Sequence, residues 1–189
     1  KNDPIPEITR SKSGLCVFIF GPPATGKSTF ISNFILTRNN SFRVVNPDTI
    51  SLLFTKDPNA FKQGSTTLAK QAVANIMNGK SNLIYDTTGN SESVITSLND
   101  VARQSGYDVI FIHMLAPLEK AITQNIQRDR TVPQEYLVNS YKRSQALIHK
   151  YSSTLKPDSY YIVVNLDNTY KFYKYENGKL LKRSEGSYK

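Results

Sequence analysis

The chain carries the run Gly21-Pro22-Pro23-Ala24-Thr25-Gly26-Lys27-Ser28-Thr29, which has the spacing G-x-x-x-x-G-K-[ST]. Each part of that spacing has a task in holding a chain of phosphates. Glycines let backbone N–H groups turn inward around phosphate oxygens, and a following helix presents its positive end to the same charge. Gly21, Pro22, Ala24, Thr25 and Gly26 would form the cradle, and Lys27 would neutralise the outer phosphates. The Ser28 hydroxyl would sit on Mg²⁺, and Thr29 would support the inner phosphate.

Other residues must decide where the last phosphate goes. Asp48, in VVNPDTIS, could accept the proton of an attacking hydroxyl, although an aspartate before Thr-Ile-Ser-Leu-Leu also caps helices. Asp86, in NLIYDTTGN, could organise Mg²⁺ or bind an acceptor, with Thr87 and Thr88 adding hydroxyls. Its plainer reading is a cap or Asx-turn. In IQRDRTVPQEY, Arg128 and Arg130 end one helical stretch just before Pro133 opens another, a suitable place for a hinged lid. A guanidinium arriving there would stabilise the charge of a transferring phosphoryl group while excluding water. The arginines could equally complement a helix C-terminus or pair with Asp129.

These groups can meet only if the chain brings them to one edge. Leu15 to Phe20 is an apolar run suited to a strand buried on both faces, and apolar spacing predicts a helix over Ser28 to Arg38. Strands are expected at Phe42 to Asn46, Asn82 to Tyr85, Val109 to Met114 and Tyr160 to Asn165. Helices are expected soon after Asp48, over Ser65 to Asn78 (apolar at Leu68, Ala72, Ala74 and Ile76), Ser93 to Gln104, Pro117 to about Asp129, and Pro133 to Tyr151. Tyr170 to Tyr175 and Lys179 to Arg183 flank Glu176-Asn177-Gly178, a strong hairpin signal. Alternating strands and helices predict an α/β P-loop NTPase fold, with a parallel sheet of about five strands and helices on both faces. The hairpin reads as an appendage. The expected organisation is one domain over 1–189, with a core about 13–166 and a hairpin extension about 168–189. Asp48 and Asp86 would then lie at strand carboxyl ends, where sites in such sheets gather.

Composition narrows the classes. The 39% hydrophobic fraction supports one core, and the single cysteine, Cys16, excludes a disulfide framework and reads as a buried hydrophobe. No window is apolar enough to cross a bilayer, so a soluble, intracellular, cytoplasmic protein is expected. A start at Lys1 without methionine suggests a processed or excised segment. Lys and Arg outnumber Asp and Glu by 24 to 15, a net charge of +9 that favours polyanionic partners. No Asn-Lys-x-Asp guanine-reading motif occurs, and no apolar strand ends in the Asp-Glu of a motor or AAA-type ATPase. His113 and His149 read as structural. The aromatic and lysine residues of YKFYKYENGKLLKRSEGSYK could stack on bases, but packing on a neighbouring helix is the favoured reading.

Taken in order, GPPATGKST, VVNPD, LIYDTTGN and QRDRTVPQEYLVNSYKR resemble the kinase domain of the phage polynucleotide 5′-kinase family and, more distantly, the zeta-toxin kinases. The resemblance covers about Leu15 to Tyr151. It implies ATP and Mg²⁺, with Lys27 and Ser28 on phosphates and metal, Asp48 as general base, Asp86 as an active-site carboxylate and Arg128 as the lid arginine. One departure stands out: where that family places an acceptor-holding arginine three residues after the base, this chain has Ser51. Asn165-Leu166-Asp167 superficially resembles the family's phosphatase signature, but Asn165 occupies the nucleophile position and too little chain follows. The expectation is therefore transfer of the γ-phosphate of ATP to a nucleic acid hydroxyl, a polynucleotide 5′-hydroxyl or a modified nucleotide. The alternatives are a nucleotide-sugar kinase of the zeta-toxin kind and a non-catalytic nucleotide-binding module.

Overall fold

Leu15–Phe20 contains no polar side chain to face water, so it is stable only as a strand covered on both sides. In the computed structural model, which describes residues 3–22, 24–51, 62–118, 122, 126, 133–166 and 169–186, this segment is β1 and every position in it is buried. A short α1 (Pro6–Arg10) precedes it. After the glycine loop, α2 (Lys27–Phe30) passes through a π-helical turn (Ile31–Ile35) into α3 (Leu36–Arg38). There follow β2 (Arg43–Val45), α4 (Pro47–Ser51), α5 (Lys62–Asn78), β3 (Leu83–Asp86), α6 (Glu92–Gln104) and β4 (Asp108–Leu115). The chain closes with α7 (Gln134–Thr154), β5 (Ser159–Asn165), β6 (Tyr170–Glu176) and β7 (Lys179–Gly186).

The strands form one sheet in the order β2-β3-β1-β4-β5-β6-β7. The first five are parallel, and β6 and β7 run antiparallel. Side chains alternate across β1 and divide the core in two. Cys16, Phe18 and Phe20 pack with Val73, Leu98, Phe111, Tyr151 and Tyr160 beneath α5, α6 and α7, while Val17 and Ile19 pack with Ile8, Phe30, Phe34 and Tyr170 on the other face. Edge-to-face rings tie the first layer together, with Phe20 and Phe111 5.0 Å apart at 80°. Burial of each such ring contributes about 1.5–3 kcal/mol.

Three expectations change. The C-terminal hairpin is not an appendage: β6 is hydrogen bonded to β5, and its Tyr170 and Phe172 are fully buried against Phe30 and Phe34. Asn177 and Gly178, both at positive φ, make its turn. This bears out packing on a helix for Tyr170 and Phe172, and it fixes the helix that follows the glycine loop. The core also reaches before residue 13, because Ile5 and Ile8 are buried under the same helix. In α5 the buried stripe is Ala69, Val73 and Met77 rather than the expected Leu68 and Ala74, a rotation by one residue in a helix whose apolar positions are crowded. Of the helix expected from Pro117, Leu118, Ile122 and Ile126 are described and helical, and the remainder lies outside the described residues. Among the described residues, no helix is long and apolar enough to cross a membrane.

Candidate active site

The glycine loop leaves β1 at the carboxyl end of the sheet, between β3 and β4. A Cβ on Gly21 would lie 2.7 Å from the Met114 carbonyl oxygen, and Gly26, at φ +87°, would bring one within 2.5 Å of Asn165 Nδ2. Only glycine permits both approaches. The loop is cross-braced from within: the buried Thr25 hydroxyl donates to Pro22 O (2.9 Å), and Lys27 Nζ donates to Gly21 O (2.9 Å) and Pro22 O (3.5 Å). Asn165, at the end of β5, adds an outer brace by donating from Nδ2 to Thr25 O (2.9 Å). Thr25 therefore staples the loop through its side chain, while Ser28 and Thr29 are exposed at its mouth. Ala24 sits at φ +64° on the loop.

Strand register delivers the carboxylates. Asp86 is the last residue of β3 and pairs with Ile19, two residues before Gly21. Its side chain is 3% exposed and accepts a hydrogen bond from Asn46 Nδ2 (3.1 Å). The other end of the same amide, Asn46 Oδ1, accepts from Asp48 N–H (2.9 Å). Asn46 thus caps α4 with Pro47 in the first helical position, leaving the Asp48 side chain exposed in the first turn. The alternative role of Asp48 as the cap falls away, because the cap is Asn46. Nor does Asp86 cap α6, whose N-cap position is Ser91.

Burial pushes the Asp86 carboxyl above the ordinary aspartate range. The Lys27 ammonium opposes that rise, the Asp48 carboxylate adds to it, and the Asn46 hydrogen bond opposes it. Lys27 and Asp48 thus each act on the Asp86 carboxyl. A hard cation suits the oxygens of Ser28 and Asp86. Among the described residues no group of three or more His, Cys, Asp or Glu could hold a metal alone, so a cation here would need phosphate oxygens, as Mg²⁺ usually does.

Thr87 follows Asp86 with its N–H on Ile19 O (3.0 Å) and its hydroxyl accepting from Gly89 N–H (3.3 Å). Thr88 is half-buried beside it. Helix α7 holds this loop from outside. Tyr151 OH donates to Gly89 O (2.9 Å), Arg143 donates to Asn90 O from Nε (3.3 Å) and Nη2 (3.0 Å), and Lys150 pairs with Glu92 (2.6 Å). Arg128 and Arg130 lie outside the described residues. Ser51 is fully buried and so presents nothing to an acceptor. His113 bonds Tyr160 OH (2.6 Å) inside the core, His149 bonds Tyr175 OH (3.2 Å), and Cys16 is buried with its thiol pushed upward by desolvation.

Sequence reasoning missed Asn46, Arg143 and the bracing role of Asn165. Asn46 was legible, since Asn-Pro-Asp is a helix-start signature. The other two act across long sequence separations.

A loop of this geometry between a central parallel strand and a helix, with carboxylates at the adjacent strand ends, defines a P-loop NTPase fold. The family model described as AAA domain (AAA_33) matches residues 16–147, and the chain belongs to that family. In this chain β3 ends in Tyr85-Asp86 rather than Asp-Glu. The chain is 26% identical over 164 residues to an L-seryl-tRNA(Sec) kinase of Methanococcus maripaludis, an alignment covering 83% of this chain and 60% of that protein. It thus spans about 60% of the length of this curated relative. Among solved structures it is similar in fold to a chain of the AvrRxo1-ORF1:-ORF2 structure with ATP (TM-score 0.69, 17% identity, 90% of this chain and 60% of that one). It is also similar to a chain of the Pnkp1/Rnl/Hen1 RNA repair complex (TM-score 0.62, 20% identity, 74% and 47%).

Proposed function

We propose that this chain is an ATP-dependent phosphotransferase that moves the γ-phosphate to a hydroxyl of a nucleic acid. The observation that carries the reading is that β3 ends in Asp86 beside β1, two residues from the start of the loop that carries Lys27, and that Asn46 links Asp86 to the first turn of the helix carrying Asp48. Bare nucleotide storage needs the loop alone. A second, exposed carboxylate beside it suits proton removal from an acceptor. The names of the tRNA kinase relative and of the RNA repair complex support a nucleic acid acceptor.

In this reading, loop N–H groups from Ala24 to Thr29 bind the triphosphate and Lys27 balances its outer charge. Mg²⁺, held by the Ser28 hydroxyl and the Asp86 carboxylate, would supply further neutralisation of the phosphates. Asp48 takes the proton of the attacking hydroxyl, and Thr87 and Thr88 orient the acceptor. Arg128 and Arg130, outside the described residues, would stabilise the charge of the transferring phosphoryl group. The chain works as one domain with the hairpin as part of its sheet.

The test supplies γ-labelled ATP with 5′-hydroxyl RNA, 5′-hydroxyl DNA, hydroxymethylated DNA and nucleotide sugars. Label on RNA or DNA supports the reading. Label on a sugar alone, or ATP binding with no transfer at all, rejects it.

A further inference from the structure

The other end of the sheet holds a second feature. Where the parallel strands begin, a cleft of about 590 Å³ is lined by Arg10, Lys12, Arg38, Asn39, Asn40 and Ser41, together with neighbouring polar residues and Leu36. No carboxylate lines it among the described residues. Arg43 and Lys80 flank the same end, at the start of β2 and just before β3.

The cleft is held by an amide network with buried parts. Asn39 Nδ2 donates to Ile8 O (2.9 Å) and Ser11 O (2.6 Å), tying the end of α3 to the end of α1. Its Oδ1 accepts from Ser41 Oγ (2.6 Å), and that hydroxyl in turn accepts from Asn82 Nδ2 (2.9 Å). Asn82 is 1% exposed, and its Oδ1 accepts from Ser11 Oγ (2.8 Å) and Leu15 N–H (2.9 Å). The network thereby clamps the Arg10–Lys12 segment beside the Arg38–Arg43 segment.

Holding like charges side by side costs Coulomb energy that an anion would offset. Complementing a helix C-terminus explains Arg38, which donates to Phe34 O (3.1 Å) with its guanidinium over the Phe34 ring. It extends to Arg10, the last residue of α1, but not to Lys12; both are exposed and neither is in an ion pair among the described residues. Among the described residues, the acids in ion pairs, Glu92, Asp158, Glu176 and Glu185, each pair with a cation outside the cleft.

We propose that this cleft binds the phosphodiester backbone of the acceptor nucleic acid, at a site separate from the one that performs transfer. The inference rests on the nucleic acid reading of the acceptor. β1, six residues long, separates the two ends of the sheet by about 20 Å at ~3.3 Å per residue. A stacked strand rises about 3.4 Å per nucleotide, so roughly six or more nucleotides are needed to reach from one end to the other. Short acceptors use the transfer site alone, and long ones engage both.

The test measures binding of a 5′-hydroxyl 30-nucleotide RNA and a 4-nucleotide RNA to the wild-type chain and to the double variant Arg10→Gln, Lys12→Gln over a range of salt. Each lost phosphate contact should make the log–log salt slope shallower by ~0.7, so the variant slope on the 30-mer should be shallower by ~1.4 with the 4-mer unaltered. ATP affinity, measured in the same preparations, should be unchanged and reports an intact fold. An unaltered slope on the 30-mer, an equal change on the 4-mer, or a wild-type chain that does not bind the 30-mer overturns the cleft. Label transfer to the 4-mer is read separately. Its failure in the wild type, with the slope altered as expected, rejects the transferase and leaves the cleft, whereas intact transfer with an unaltered slope rejects the cleft alone.

Discussion

The two loops that face each other at the carboxyl end of the sheet are held in different ways. The phosphate loop is fixed by the core: Met114 and Asn165 press on its glycines, Thr25 staples it, and its helix is locked by Phe30 and Phe34 against the hairpin. The loop after Asp86 is instead hung on α7 through Tyr151, Arg143 and Lys150, two of them at exposed positions. Buried, fully bonded contacts define one geometry, whereas exposed polar contacts yield to small shifts of the helix that carries them. The phosphate loop is thus held by buried contacts and the loop after Asp86 by contacts to α7; in the proposed function these are the donor and the acceptor side.

That contrast can be broken at several points. Lys27→Ala removes the ammonium from the donor side and should reduce transfer by about 10³-fold, the scale for losing one preorganised charge at a reacting group, as read by single-turnover label transfer. Gly26→Ala places a methyl against Asn165 at a left-handed φ. It should destabilise the fold by about 1–3 kcal/mol in denaturant titration and weaken ATP binding, because strain in the rigid loop has nowhere to relax. Tyr151→Phe or Arg143→Ala should raise the acceptor KM by roughly tenfold, the worth of one or two hydrogen bonds, with the ATP KM unchanged. A matching rise in both KM values would erase the distinction between the loops.

Asp86→Asn probes the charge between them. Since burial raises the Asp86 pKa, the unfolded chain releases this proton at lower pH than the folded chain does. Wild-type stability therefore falls as pH rises from the usual aspartate range through the raised value. The variant lacks that fall. It should melt higher than wild type at neutral pH, with the gap closing toward pH ~4, while transfer is lost. A melting difference independent of pH would contradict the assignment.

The distribution of what the sequence revealed follows the same physics. The phosphate loop was legible because its function is local: one strand, one turn and one helix start carry all of it. Parallel strands were legible from short apolar runs, and the Asn177-Gly178 hairpin from its turn chemistry. The hairpin's place in the sheet was not, since it depends on Tyr170 and Phe172 meeting a helix that lies far earlier in the chain. The braces were hidden for the same reason: Asn165 acts on Thr25 across 140 residues and Arg143 on Asn90 across 53. For Asp48, the alternative role as a cap falls away only because Asn46 accepts from its N–H. Such contacts leave no periodicity to read.

The central claim is that Asp48 deprotonates an alcohol beside a gripped triphosphate, and Asp48→Asn tests it with little change of shape at an exposed position. Single-turnover transfer to the acceptor and ATP affinity should be measured on one preparation. The account predicts transfer reduced by about 10²–10⁴-fold with ATP affinity unchanged; transfer at the wild-type rate would contradict it.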